Sequence, residues 1–216
     1  MKLTTTAFAD QSVIPGEFAF AVIDPATHVR LSANRNPDFA WSGLPAGTQS
    51  LAFVCHDPDV PSRGEDVNQE GRVVPASLSR VDFFHWVLID LPPTTPGITR
   101  GAHSDGVTAR GKPGPQAPRE GRHGINDYTG WFAGDKDMGG DYHGYDGPCP
   151  PWNDMLAHRY VFTLYALDVP RLAVPDRFNG AEAREAMNGH VLAQASVTGR
   201  YSLNPGVRLA APVKGA

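Results

Sequence analysis

Nine consecutive residues, Phe83-Phe84-His85-Trp86-Val87-Leu88-Ile89-Asp90-Leu91, are almost wholly aromatic, aliphatic or β-branched, and they stop at Pro92-Pro93. A run of that length and make-up, closed by residues that cannot donate to a ladder, reads as a strand. Its apolar residues do not alternate with polar ones, so both of its faces must be covered. Residues 159–167 repeat the pattern, with Pro170 soon after, and residues 51–55 are a shorter version ending at a polar turn. Residues 196–203 alternate as an outer strand does. The centre of the fold is therefore expected to be a sheet buried on both sides.

One helical region is expected over residues 181–195. Asn179 and Glu182 have the spacing of a capping box, and Met187, Val191 and Leu192 form an apolar stripe at helical spacing, interrupted by Gly189. Between Pro92 and Gly147 the chain is crowded with Gly, Pro, Asp and His and has almost no periodicity; residues 63–80 are a second such stretch. Unpatterned connections this long are functional loops or flexible insertions. The organisation expected is a single domain over residues 1–216 with long loop insertions at about 63–80 and 94–143. The local crowding of Arg110, Lys112, Arg119 and Arg122 lies among Gly and Pro and reads as a solvated loop.

With 216 residues and 41% hydrophobic content the chain can bury a core in one domain. A net charge of -4 with scattered basic residues argues against a dedicated nucleic-acid surface. No apolar run approaches the ~20 residues that span a bilayer. Residues 1–10 carry one Lys and no apolar core of a secretory signal, so a cytoplasmic location is expected. Cys55 and Cys149 are too few for a disulfide framework, or for a structural zinc site without other ligands, and are expected to be free thiols.

Three clusters carry chemistry, each near a strand end. In Cys55-His56-Asp57-Pro58-Asp59-Val60-Pro61-Ser62, two prolines interleaved with two acids hold the carboxylates on a stiff turn; a plain Asp-capped turn has the same spacing. His85 lies inside an apolar strand, where a neighbour must satisfy its ring nitrogens, and a structural histidine is the simpler reading of it alone. Gly144-Tyr145-Asp146-Gly147-Pro148-Cys149-Pro150-Pro151, followed by His158-Arg159-Tyr160, is a Gly-rich turn of the kind that brings N–H groups to an anion. Taken alone, it is a loop.

In this order the pieces Asp-Pro-Asp-x-Pro, His-Trp-Val, Gly-x-x-Pro-Pro and His-Arg-Tyr resemble the signature of the phosphatidylethanolamine-binding protein family, in its bacterial Raf kinase inhibitor-like branch. Asn36-Pro37-Asp38-Phe39-Ala40-Trp41 with Leu44-Pro45-Ala46-Gly47-Thr48 resembles that family's N-terminal segment, and Gly189-His190-Val191-Leu192-Ala193 its C-terminal one. The resemblance implies a mainly β, Greek-key fold of two antiparallel sheets with a few peripheral helices. It implies one pocket at an end of the larger sheet, taking phosphate-like or acetate-like anions; no cofactor or metal is expected. Carried over by position, Asp57 and His85 sit at the pocket floor, and Pro61, Asp146, Gly147, Pro150, Pro151, His158 and Tyr160 form its rim and walls. Asp57 is expected to hold one ring nitrogen of His85 and leave the other as a donor. Tyr160 adds a hydroxyl and the Gly147 loop an amide. Val60-Pro61 is a candidate cis bond.

The chain departs from the family pattern after the proline pair, where Trp152-Asn153 stand in place of a small or basic residue and Gly; the expected consequence is a mouth without a cation. The insertion at residues 63–80 falls between two pocket motifs and is placed to cover part of the opening. The reading is a binding module for a small anion or phospholipid headgroup that regulates a kinase or protease partner, with a homodimer left open. The alternative is a hydrolase or lyase using Asp57 and His85 as an acid–base pair, although no Gly-x-Ser-x-Gly elbow is present and Cys149 needs an adjacent base to act as nucleophile. Asp135, Asp137 and Asp141 with His143 do not fit a calcium loop, because Gly139 stands where a side-chain oxygen is needed. They read as an acidic solvated loop.

Overall fold

In the computed structural model, which describes residues 1–209, the run at residues 83–91 is the greater part of a strand, β6. In chain order the strands are β1 (Lys2–Thr4), β2 (Ala21–Asp24), β3 (His28–Leu31), β4 (Phe39–Ser42), β5 (Ser50–Pro61), β6 (Arg80–Leu91), β7 (Gly97–Ile98), β8 (Arg122–His123), β9 (His158–Leu167) and β10 (Val191–Tyr201). Two helices, α1 (Tyr128–Trp131) and α2 (Gly180–Ala186), lie among them. The main sheet has the order β10-β9-β5-β6-β8 and is antiparallel throughout. A three-stranded sheet, β1-β4-β7, and a hairpin, β2-β3, complete the mainly β architecture.

Both faces of the main sheet are covered, as the unbroken apolar runs require. Phe53, Cys55, Trp86, Leu88, Phe162 and Leu164 point into the larger core, shared with Leu3 and Phe39 from the small sheet. Ala52, Val54, Val87, Ile89 and Leu167 point the other way, onto Phe178, Ala183 and Met187 around α2.

Irregularities in the ladder set the site. Cys55 pairs with Trp86 but His56 pairs with Phe84, so His85 is the extra residue of a bulge. A bulge lets neighbouring side chains share one face. Phe84 is thereby turned to the α2 side while His85 and Trp86 both face the larger core. A second irregularity lies between Asp57 and Val60, which pair with Phe83 and Val81. Here β5 carries the extra residue, and Asp57 and Asp59 are both buried.

Several expectations need correction. Asn179 and Glu182 do form the capping box, but the helix ends at Ala186. Gly189 turns the chain with φ +81°, and Val191 and Leu192 are then strand residues of β10 along β9. The open edge of β9 offers a whole ladder of backbone hydrogen bonds, which outweighs a helical side-chain stripe. The Val60–Pro61 bond is trans, because β5 runs on through Val60↔Val81 and Pro61↔Arg80 instead of reversing; the cis X-Pro bond of the described residues is Gly114–Pro115. The basic crowd is only partly solvated. Arg122 is buried and paired with Asp90 at 2.7 Å, and Lys112 reaches Asp146 at 2.9 Å. Among the described residues no helix is long and apolar enough to cross a membrane.

Candidate functional site

Where β5, β6 and β9 end together, a cavity of about 440 Å³ opens beside them. Asp57, Pro61, His85, His158 and Tyr160 reach it from those strands, and Pro150 and Pro151 from the loop before β9. Much of the rest of its wall is apolar and aromatic, including Phe83, Tyr128, Trp131 and Phe132. Asp146 and Gly147 do not line it. They stand behind the wall for physical reasons the sequence does not display.

The Asp146 carboxylate is fully buried and accepts from Asn34 Nδ2 (2.7 Å), Asn126 Nδ2 (2.8 Å) and Lys112 Nζ (2.9 Å). Burial pushes the Asp146 carboxyl up and the Lys112 ammonium down; the pair is held by the amides around it. Gly147 donates its N–H to Asn34 Oδ1 at 2.8 Å, so it has no amide to offer a ligand. A Cβ there would stand 2.1 Å from the Phe18 carbonyl oxygen, which is why only glycine fits.

Asp57 does not hold His85. Its Oδ2 meets His158 Nδ1 at 2.7 Å, and its Oδ1 accepts the Asp59 N–H at 2.8 Å. His158 Nε2 meets Asp154 Oδ2 at 3.0 Å, so the ring is clamped between two carboxylates with no exposed surface. Burial alone would lower the pKa of His158. The Asp57 charge and the hydrogen bonds to Asp154 and Asp57 overcome that and raise it to about 9. Outside this clamp, Arg80 grips Asp154 through both Nη atoms (2.5 and 3.1 Å) and Arg159 grips Asp59 at 2.9 and 2.8 Å. Three carboxylates thus face three cations, and the network is neutral as a whole.

His85 is tied elsewhere. Its Nδ1 lies 2.7 Å from the Asp146 carbonyl oxygen, and the Asp146 N–H returns to the His85 carbonyl at 3.0 Å. A carbonyl only accepts, so Nδ1 carries a hydrogen, and in the neutral ring Nε2 is then a lone pair. Burial lowers the His85 pKa to about 4, against the pull of Asp57 and the Asp146 carbonyl, so the ring is neutral near pH 7. Tyr160 packs edge-on to it, with ring centroids 5.0 Å apart. The Tyr160 hydroxyl is buried without a hydrogen-bond partner among the described residues.

The insertion and the proline loop build the outer wall together. Asn153 Nδ2 donates to the carbonyls of Asp66 (2.8 Å), Gln69 (3.3 Å) and Arg72 (3.1 Å), and Asn68 N–H returns to Asn153 Oδ1. Trp152, the departure from the expected motif, stacks on His28 at 3.8 Å, and His28 reaches Glu70 at 2.6 Å. This brings Arg63, Val67 and Asn68 to the cavity. The mouth therefore has a cation: Arg63 is exposed and makes no ion pair among the described residues. Only the position of the insertion between two pocket motifs hinted at this. The aromatic wall from Phe83, Trp131 and Phe132 had no signal in the sequence.

Cys149 also lines the cavity, but burial pushes its thiol to about 12, so it is no ready nucleophile. Both cysteines are free. Asp135 caps its own turn, Asp141 pairs with Arg177 at 2.8 Å, and the described residues contain no group of three potential metal ligands.

Residues 4–202 match the family model described as phosphatidylethanolamine-binding protein. A UPF0098 protein of Methanothermobacter thermautotrophicus is 31% identical over 204 residues, 93% of this chain and 98% of its own. The UPF0098 protein YbhB of Escherichia coli K12 is 31% identical over 169 residues, 78% of this chain and 82% of its own. The crystal structure of E. coli YbcL, described as a new member of the mammalian PEBP family, shares the fold with a TM-score of 0.65 at 23% identity, covering 93% of this chain and 97% of its own. A putative phosphatidylethanolamine-binding protein homolog from Chlamydia trachomatis gives a TM-score of 0.62 at 25% identity, over 93% of this chain and 96% of its own.

Proposed function

This chain belongs to the phosphatidylethanolamine-binding protein family, and we propose that it is a binding module whose cavity takes a small oxyanion, a phosphate or a carboxylate, carried on an apolar body. The observation behind this reading is the Tyr160 hydroxyl, buried without a partner among the described residues beside a half-used His85 on the wall of a preformed cavity. A buried hydroxyl left unpaired costs about 1–3 kcal/mol, so a ligand that engages it recovers that cost. Arg63 supplies long-range attraction at the mouth, and the aromatic wall receives the apolar part. In this reading the occupied pocket is what a kinase or protease partner would sense.

Catalysis by Asp57 and His85 as a pair draws no support from the geometry, since each is bonded to a different group. Native mass spectrometry of protein purified without phosphate or citrate, followed by calorimetric titration with phenyl phosphate and phenylacetate, tests the proposal. Saturable one-to-one binding of at least one probe is expected, weakening as salt rises. No binding of either at millimolar concentration overturns it.

A further inference from the structure

Hydrogen-bonding capacity around the floor is lopsided. From β6, the neutral His85 ring presents the Nε2 lone pair, its Nδ1 hydrogen being committed to the Asp146 carbonyl. From β5, Asp57 presents carboxylate oxygens, which only accept. From α1, Tyr128 has given its hydrogen to the Gly147 carbonyl at 2.8 Å and retains only lone pairs. From β9, His158 has both ring nitrogens engaged with carboxylates, and Tyr160 alone offers a free O–H. His56, on the β5 strand, is the other titratable neighbour of His85 by charge. The floor is thus rich in acceptors and has one O–H donor besides the weakly donating Cys149 thiol, while Arg63, the lining cation with no ion pair among the described residues, lies out in the insertion wall.

A fully ionised oxyanion brings lone pairs alone. Set against His85 Nε2 and Asp57 it would leave acceptors facing acceptors at the buried floor, the least favourable arrangement for a buried polar contact. An oxyacid that keeps one hydrogen fits: its O–H donates to His85 Nε2, and an unprotonated oxygen accepts from Tyr160. Resting on the proposed oxyanion-binding role, we infer that the floor selects an oxyacid group that carries its own hydrogen, namely the monoanion of a phosphate monoester, over diesters, sulfates and dianions. Burial of His85, which keeps its ring neutral near pH 7, agrees with this. The selection works as enzyme pockets do when they reject analogues lacking one hydrogen: the built-in partner is left unpaired.

Phenyl phosphate, phenyl sulfate and methyl phenyl phosphate share an aryl body and differ in whether a P–OH is available. Calorimetry at pH 6 is expected to show phenyl phosphate binding at least about tenfold more tightly than the other two. Its affinity should fall by roughly tenfold per pH unit above its second ionisation, near 6, with proton uptake approaching one per site at pH 8 when two buffers of different ionisation heat are compared. Phenyl sulfate binding should be flat over the same range. The His85→Gln variant, whose amide can turn a donor inward, should bring phosphate and sulfate towards parity.

Equal binding of all three probes overturns the inference while leaving the oxyanion pocket intact, as does sulfate binding with proton uptake, which would mean an imidazolium donor. A variant that keeps the full preference also overturns it. Tighter binding of benzylamine than of phenyl phosphate overturns both this inference and the oxyanion reading. Vesicles of phosphatidylcholine with and without phosphatidic acid distinguish a lipid-borne monoester from a soluble one, and capture on the phosphatidic acid vesicles alone upholds the same chemistry.

Discussion

On the β9 side of the floor, His158 has both ring nitrogens committed to carboxylates, whereas on the β6 side His85 commits one to a main-chain carbonyl and keeps the other. The two rings belong to equally prominent motifs, yet their environments push them to opposite charge states, with pKa values of about 9 and about 4. Neighbouring charges decide the first and burial the second. A motif histidine is therefore not a functional class in itself: here one ring ties β9 to β5 and to the loop that precedes β9, and the other faces the cavity. The same contrast separates Asp57 from Asp146. Asp57 lines the cavity but is tied into the clamp, and Asp146 acts through its peptide group, aiming His85 from behind.

The most forceful way to break this comparison is His158→Ala. It strands Asp57 and Asp154 as buried carboxylates, and breaking a buried ion pair on one side costs roughly 3–5 kcal/mol. For a domain of this size that is a fall in Tm of roughly 6–20 °C, to be read by calorimetric or fluorescence-detected melting. A loss of only a degree or two would mean the clamp is not what holds the strand ends.

The next largest effect is on pH. His158, raised to about 9, keeps its proton in the folded state after the unfolded chain has lost it near 6.5, so its contribution is full below 6.5 and is lost as pH rises through 9. His85 and His103, lowered to about 4, and His123, lowered well below its ordinary value by burial, work in the other direction: the unfolded chain takes up protons that the folded one refuses, and stability is lost as pH falls from 6.5 towards 4. Urea unfolding across this range should give a maximum near 6.5, with the steeper loss on the acid side and about 3 kcal/mol at most from His158 on the alkaline side. A profile that keeps rising to pH 9 would remove the charged clamp from the account.

His85→Ala should do to binding what His158→Ala does to stability. The variant loses one bond to the Asp146 carbonyl and is expected to stay folded, while affinity for phenyl phosphate falls about tenfold to hundredfold, the worth of a hydrogen bond to a charged group. Melting and titration of one preparation separate the two. Unchanged affinity per folded molecule would make His85 a packing residue and dissolve the contrast.

How much of this was legible beforehand follows from which forces write themselves into local sequence. Unbroken apolar runs revealed the doubly covered sheet, because burial on two faces leaves no room for polar residues. The short motifs led to the residues around one cavity because stiff, proline-flanked strand ends are local features. What stayed hidden is set by ladder register and by contacts far apart in sequence. The bulge at His85 shows only when Cys55↔Trp86 is followed by His56↔Phe84. The partner of Asp57 lies about a hundred positions away in β9. Val191 and Leu192 kept a helical spacing in a segment that the edge of β9 turned into strand. Asn153 looked like a break in a motif, yet its side chain organises the insertion that brings Arg63 to the mouth.

Tyr160→Phe carries the smallest expected effect and is the sharpest probe of the comparison. If the hydroxyl served the fold, as the His158 ring does, its removal would cost stability. It has no partner among the described residues and is buried. Deleting an unsatisfied buried polar atom relieves its desolvation cost, so the variant should be unchanged or more stable, by about 1–3 kcal/mol at most. Its value is to the ligand, as the one O–H donor among acceptors on the floor, so phenyl phosphate should bind roughly twofold to tenfold more weakly, the worth of one ordinary hydrogen bond. The ring stays against His85, so its edge-on packing is preserved and the two readouts separate cleanly. Lower stability with full affinity would assign Tyr160 to the clamp side of the floor; unchanged stability with weaker binding leaves the hydroxyl to the ligand.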